Sequence, residues 1–210
     1  MATSVSDILE TLDYRPTFGI QLDMLQPPPG HPSDLVIKYR LGPGVSGPLE
    51  HYHPRITEVF EVESGMLDLK VDGQWQTLSP GHVLAVKPGQ KHTFKNATRE
   101  DTVILTYIEP HGGFAAFFTD LYFLVKARPF KNQWNLLFIA WYAQLEHKHR
   151  RDYLTVQPFR AMLRFYGGLA QLLGIRMPKF PETPIVRMRS MAGKGDTVIR
   201  RMEGENLEIE

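Results

Sequence analysis

Apolar and polar positions alternate with a period of two through much of the first half of the chain, the pattern of half-buried strands. In residues 57–62, Glu58, Phe60 and Val62 share one face, while Val59, Glu61 and Glu63 share the other. Leu67, Leu69 and Val71 alternate with Asp68 and Lys70, and Asp72-Gly73 is a strong hairpin signal before a return over residues 75–78. Ser79-Pro80-Gly81 turns the chain again. Val83–Val86 and His92–Lys95 flank Lys87-Pro88-Gly89, and residues 102–108 close the set. Upstream, residues 17–26 and 34–41 read as two further strands, separated by the loop Gln26-Pro27-Pro28-Pro29-Gly30. Residues 4–13 read as a short helix over a barrel end, with Ser4 as its N-cap. Many short strands with regular turns predict an all-β sandwich or barrel.

After Pro110 the period lengthens. Phe114–Ala127 is expected to be helical until Pro129 stops it. Trp134, Leu137, Phe138, Trp141 and Leu145 follow helical spacing in the next segment. Pro158 suits a first helical position and opens a third helix with Phe159, Met162, Leu163, Tyr166 and Leu173 on one side, capped by Gly174. From Met177 onward, Pro178, Pro181 and Pro184 break structure, and the polar end reads as an extended or flexible tail. The expected organisation is therefore an N-terminal helical arm (1–16), a β-barrel (17–110), a C-terminal helical extension (111–176) and a tail (177–210). No internal repeat is visible.

The chemistry concentrates between Gly44 and Asn96. His51 and His53 lie two apart, so in a strand both imidazoles project to one side and Tyr52 to the other. Glu58 can join them from the next strand, with His92 as a fourth candidate. Three nitrogens and one oxygen suit a divalent transition metal that keeps open coordination positions.

The segment resembles the first cupin motif: Gly44, then His51-Tyr-His53, then Glu58, then Gly65. Gly81-His-Val-Leu-Ala-Val-Lys87-Pro88-Gly89-Gln-Lys-His92-Thr-Phe-Lys-Asn96 resembles the second. Gly44 stands one residue further from His51 than is usual, and Lys87 stands where proline is common; neither is a ligand position. The resemblance covers roughly residues 35–108. It implies a mainly β fold, a single jelly-roll (double-stranded β-helix) barrel, with the helical arm and extension added. It carries a metal-ligand role onto His51, His53, Glu58 and His92, for one ion of iron, manganese, nickel, copper or zinc. It also implies a small-molecule ligand or substrate and a homodimer. Two function classes follow. One is a metal-dependent enzyme of oxygenase or isomerase type. The other is a non-catalytic small-molecule sensor that signals through its helices, and a purely structural barrel is a weaker third.

Other candidates have blander readings. Glu50 and Glu61 are expected to be solvated or to stand behind the ligands, Tyr52 to pack, and His82 to be exposed in a turn. His111 could reach the barrel mouth. His147 and His149 lie two apart on a helix, so they do not face one ion; with Lys148, Arg150 and Arg151 they form a basic cluster that complements a helix C-terminus. The aromatic helices could pack on the barrel or a second subunit, line a pocket as a lid, or lie on a membrane surface through Phe117, Phe118, Phe123 and Trp134. A membrane span is excluded by Lys126, Arg128 and Lys131.

Bulk composition adds exclusions. In 210 residues, 24 Lys plus Arg against 23 Asp plus Glu give a net charge of +1, which gives no argument for a nucleic-acid partner. The chain has no cysteine, which removes disulfides, thiolate ligands and a cysteine nucleophile. Residues 1–10 lack a basic region followed by an apolar run, so the expectation is a cytoplasmic protein.

Overall fold

The structure, a computed structural model, describes residues 8–27, 31, 33, 35–127 and 136–180. In chain order they form β1 (Ile8–Asp13), α1 (Arg15–Phe18), β2 (Ile20–Leu25), β3 (Leu35–Leu41), β4 (His51–Tyr52), β5 (Thr57–Ser64), β6 (Leu67–Val71) and β7 (Gln74–Leu78). Then follow β8 (Val83–Val86), β9 (His92–Lys95), β10 (Thr102–Glu109), α2 (Phe114–Ala127), α3 (Leu136–Lys148), β11 (Leu154–Thr155) and α4 (Phe159–Leu172). One antiparallel sheet runs β1-β2-β3-β10-β5-β8, and the other runs β11-β4-β9-β6-β7. The inward positions of both sheets merge into one core, with Ile37, Phe60 and Ile104 from the first and Leu67, Leu69 and Phe94 from the second. This is the expected jelly-roll, with helices on both its N-terminal and C-terminal sides.

Strand alternation decides which residues enter the core. Along β5 the buried positions are Glu58, Phe60 and Val62, and along β6 they are Leu67, Leu69 and Val71. The β6–β7 hairpin turns at Asp72 and Gly73, whose φ values of 47° and 88° are the left-handed pair that a two-residue turn requires.

Two expectations fail at the N-terminus. Ile8–Asp13 is a strand, not part of a helix over 4–13, because its backbone pairs antiparallel with β2 and extends the sheet. A helix begins only at Arg15, so Thr17 and Phe18 belong to α1 and not to a strand from residue 17. Residues 4–7 lie outside the described residues, as do Trp134 and residues 181–210.

The C-terminal half is mainly helical but not wholly so. Phe114–Ala127 forms the expected helix, and the third helix begins at Phe159 with Pro158 as its N-cap. Between α3 and α4, β11 pairs with β4, placing Leu154 opposite Tyr52 and Thr155 opposite His51. A two-residue strand from the extension thus becomes an edge of the second sheet. Phe114, Phe117 and Phe118 of α2 and Tyr153 beside β11 are buried in the barrel's own core. That packing accounts for much of the aromatic content of these helices. Among the described residues, no helix is long and apolar enough to cross a membrane.

Buried ionic contacts tie α2 to the end of α3. Asp120 Oδ2 lies 2.7 Å from His149 Nε2 and 2.6 Å from Lys148 Nζ. His149 is therefore not part of a solvent-facing basic cluster; it is buried, while His147, Lys148, Arg150 and Arg151 face water. Burial works to raise the Asp120 carboxyl, but His149 and Lys148 outweigh it and the net shift is downward. A carboxyl lowered in the folded state stabilises fully above its unfolded pKa of about 4, and that stabilisation fades as pH falls through the folded value. An Asp120→Asn variant is expected to lose about 1–3 kcal/mol of stability at neutral pH, since it leaves His149 buried without its carboxylate. The difference from wild type should shrink as the pH is taken below about 4, as read by urea unfolding at a series of pH values.

Candidate metal centre

Four side chains converge where the two sheets meet. His51 on β4 pairs across with His92 on β9, so the second sheet carries both imidazoles. Glu58 comes from β5 of the first sheet, paired with Ile108 and Val86 on either side. His53 follows β4 on the same face as His51. None of the four is more than 3% exposed, and one ligand atom from each lies within 4.8 Å of all the others.

The imidazoles are turned by backbone. His51 Nδ1 lies 2.7 Å from the Leu49 carbonyl, His53 Nδ1 lies 2.5 Å from that of Asp152, and His92 Nδ1 lies 3.1 Å from that of Gln90. A carbonyl can only accept, so each Nδ1 carries the proton and donates it. Each Nε2 is left with a lone pair directed at the cluster. This is the tautomer a metal ligand needs, held by the outer contacts that such ligands usually make.

The inner atoms meet no hydrogen bond. Glu58 Oε2 lies 3.1 Å from His53 Nε2 and 2.7 Å from His92 Nε2, close enough for ion pairs. No hydrogen bond joins them, and all three atoms are buried without a partner. A carboxylate oxygen facing two imidazole lone pairs in a dry interior is repulsive unless positive charge sits among them, as a proton or a metal ion. The titration directions carry the same message. Burial acts to raise Glu58, but His53 and His92 override it and hold the carboxyl well below the usual carboxylate range. For His92, burial acts downward and the Glu58 contact outweighs it, so the shift is upward. His51 is pushed well below its ordinary value, first by burial and then by His92 and His53, and stays neutral. The donor set and the orphaned atoms fit a divalent transition ion held by His51, His53, Glu58 and His92.

The helical extension reaches this cluster directly. The carbonyl that orients His53 belongs to Asp152, whose carboxylate accepts from the Gly113 amide at 2.8 Å and from Arg55 at 2.5 Å. Gly112 passes so close that a Cβ would stand 2.8 Å from Asp152 Oδ1, and its φ of 49° also favours glycine. Next along the chain, the Tyr153 ring stacks on His51 at 4.5 Å and, at 4.1 Å, on Phe117.

Behind Tyr153 lies a cavity of about 360 Å³, walled by the barrel and by α2, α3 and α4. Tyr14, Tyr39, Phe117, Tyr142, Tyr153 and Leu163 are among its lining residues, and among the described residues no charged side chain is. None of the four cluster residues lines it; Tyr39 and Tyr153 stand between the two. Burial first, then the Glu58 charge, pushes the Tyr39 hydroxyl well above its ordinary pKa, so it remains a donor. Burial does the same for Tyr153.

The remaining candidates lie elsewhere. Glu50 pairs with Lys70 at 3.0 Å, and Glu61 accepts from the Tyr107 hydroxyl at 2.9 Å. Tyr52 faces away from the cluster and accepts from Arg160 at 3.0 Å. His82 is exposed beside Ser79, and His111 stands outside the cluster. The second rank of the site, Asp152, Tyr153 and Tyr39, carries no signal in the spacing of the sequence. Asp152→Ala is expected to weaken metal retention about 10- to 100-fold through loss of the His53 orientation, while the fold persists; competition with a chelator would measure it.

Comparison with known proteins follows the geometry. Residues 37–108 match the model of the family described as "Cupin domain". No curated protein matches the chain. Among solved structures, KdgF from Halomonas sp. is 21% identical, with a TM-score of 0.41 over 48% of this chain and 86% of its own. An RmlC-like cupin from Shewanella frigidimarina is 23% identical, with a TM-score of 0.42 over 54% and 96%. A cupin described as a sugar phosphate isomerase, from Silicibacter pomeroyi, is 25% identical, with a TM-score of 0.40 over 50% and 71%. Residues 37–108, which form the middle of the two-sheet barrel, are thus similar to the cupin domain family.

Proposed function

We propose that the chain is a metal-dependent enzyme acting on a small organic molecule by an oxygenase-type or isomerase-type reaction. The observation that carries this reading is the set of three imidazoles, each with Nδ1 donating to a backbone carbonyl, turned onto one carboxylate with no hydrogen bond among their inner atoms. A divalent ion held there by His51, His53, Glu58 and His92 would supply Lewis acidity and positions for an oxygen ligand. The chain's own part is to exclude water, since all four residues are buried, and to offer protonated hydroxyls from Tyr39 and Tyr153 on the cavity side.

Elemental analysis of protein purified without added metal tests this. About one equivalent of iron, manganese, nickel, copper or zinc per chain is expected, and it should be lost in a His51→Ala, His92→Ala double variant. If wild-type protein holds no ion even after reconstitution, the enzyme reading falls.

A second reading is favoured by one specific contact pair: the His53 bond to the Asp152 carbonyl and the Tyr153 ring on His51 join the site to the helical extension. In this reading the chain is a sensor, and occupancy of the site is transmitted to α3 and α4. Metal loading should then slow hydrogen exchange at residues 152–155 and along α3; unchanged exchange there would remove the support for it.

A further inference from the structure

We propose that the aromatic cavity binds an uncharged, largely apolar small molecule bearing one hydrogen-bond-accepting oxygen, which the Tyr39 hydroxyl receives. This deepens the enzyme reading by naming a substrate class. It rests on that reading for what becomes of the molecule, and not for its binding.

Size and wall chemistry come first. A volume of about 360 Å³ lies within the range of small-molecule sites. Among the described residues its walls are aliphatic and aromatic side chains, with a serine, a glycine, a proline and four tyrosines, and none of them is Lys, Arg, His, Asp or Glu. An ionised ligand entering such a space would lose its hydration and find no counter-charge, so phosphates, carboxylates and ammonium groups are rejected.

The polar handles narrow the class further. The Tyr14 hydroxyl is spent on the Phe118 carbonyl at 2.5 Å, and the Tyr142 hydroxyl donates to that of Tyr153 at 3.3 Å. Tyr39 is 3% exposed, and its hydroxyl makes no hydrogen bond with any described residue. Tyr39 lines the cavity, and a ligand oxygen there can accept from its unspent hydroxyl. Tyr153 accepts from Tyr142 and retains its own proton for a second bond. The Tyr153 hydroxyl meets Tyr142 on α3, whereas Tyr39 stands on the side of the cavity where the Glu58 charge is felt. The oxygen-bearing end of the ligand therefore faces the cluster, and its carbon skeleton lies against α2, α3 and α4.

Equilibrium dialysis of the full-length chain against three probes of one size tests the assignment: 2-acetylnaphthalene, 2-ethylnaphthalene and 2-naphthoate. The ketone should bind saturably, and the carboxylate should bind about tenfold more weakly or worse. Tyr39→Phe should bring the ketone down to the level of the hydrocarbon. Leu121→Trp, which fills the cavity from α2, should exclude both, with folding checked by circular dichroism. Equal binding of the naphthoate, a ketone advantage that survives Tyr39→Phe, or ketone binding undiminished by Leu121→Trp would each overturn the proposal, as would the absence of saturable binding. Metal content is measured on the same preparation. Ketone binding by a chain that cannot hold an ion sinks the enzyme reading and leaves this one standing; an ion-loaded chain that ignores the ketone does the reverse.

Discussion

The site depends on imidazole N–H groups donating to backbone carbonyls. Side chains as symmetric as imidazole can point either nitrogen inward, and in a dry core nothing but a hydrogen bond selects between them. Two of the three carbonyls, those of Leu49 and Gln90, lie two residues before their histidines, so these rings are oriented by the strand's own approach. The third belongs to Asp152, at a sequence separation of 99. The barrel can place His53, but only the extension can aim it. Arg55 and Gly113 hold Asp152 by its side chain so that its backbone is free to do this.

Two environments of opposite character meet at Tyr153. On one side is a cluster in which a carboxylate and three imidazoles demand a positive charge at their centre. On the other is a space whose described walls carry no charge. An aromatic ring with a hydroxyl at its tip suits such a boundary, since its faces pack on His51 and Phe117 while its oxygen joins Tyr142. The four cluster residues stay out of the cavity wall, and the Glu58 charge reaches it only through Tyr39 and Tyr153.

Much of this was legible in the sequence, for a physical reason. Strand alternation is a local rule, and it placed His51 and His53 together and Glu58 with Phe60 and Val62 on an inward face. The Asp72-Gly73 turn and the helix Phe114–Ala127 were equally local. What escaped was set by partners distant in the chain. Ile8–Asp13 is a strand because β2 lies beside it, against a reading that saw a helix cap at Ser4. Leu154 and Thr155 are too short a pair to show any period, and they are a strand only because β4 was there to be joined. His149 read as part of a charged run, and no pattern in the sequence connects it to Asp120 on another helix.

The pairing of β4 with β11 also has a consequence in time. A ribosome delivers all four cluster residues before the chain has reached residue 100, yet the strand that flanks His51 and the carbonyl that turns His53 are made some fifty residues later. A nascent chain folds progressively, N-terminal parts first. The early barrel would therefore expose a half-oriented set of ligands, open to any ion that meets them. The cluster takes its final geometry only when residues 152–155 dock, so any ion held there by the proposed site would be chosen at docking and not when its ligands are made.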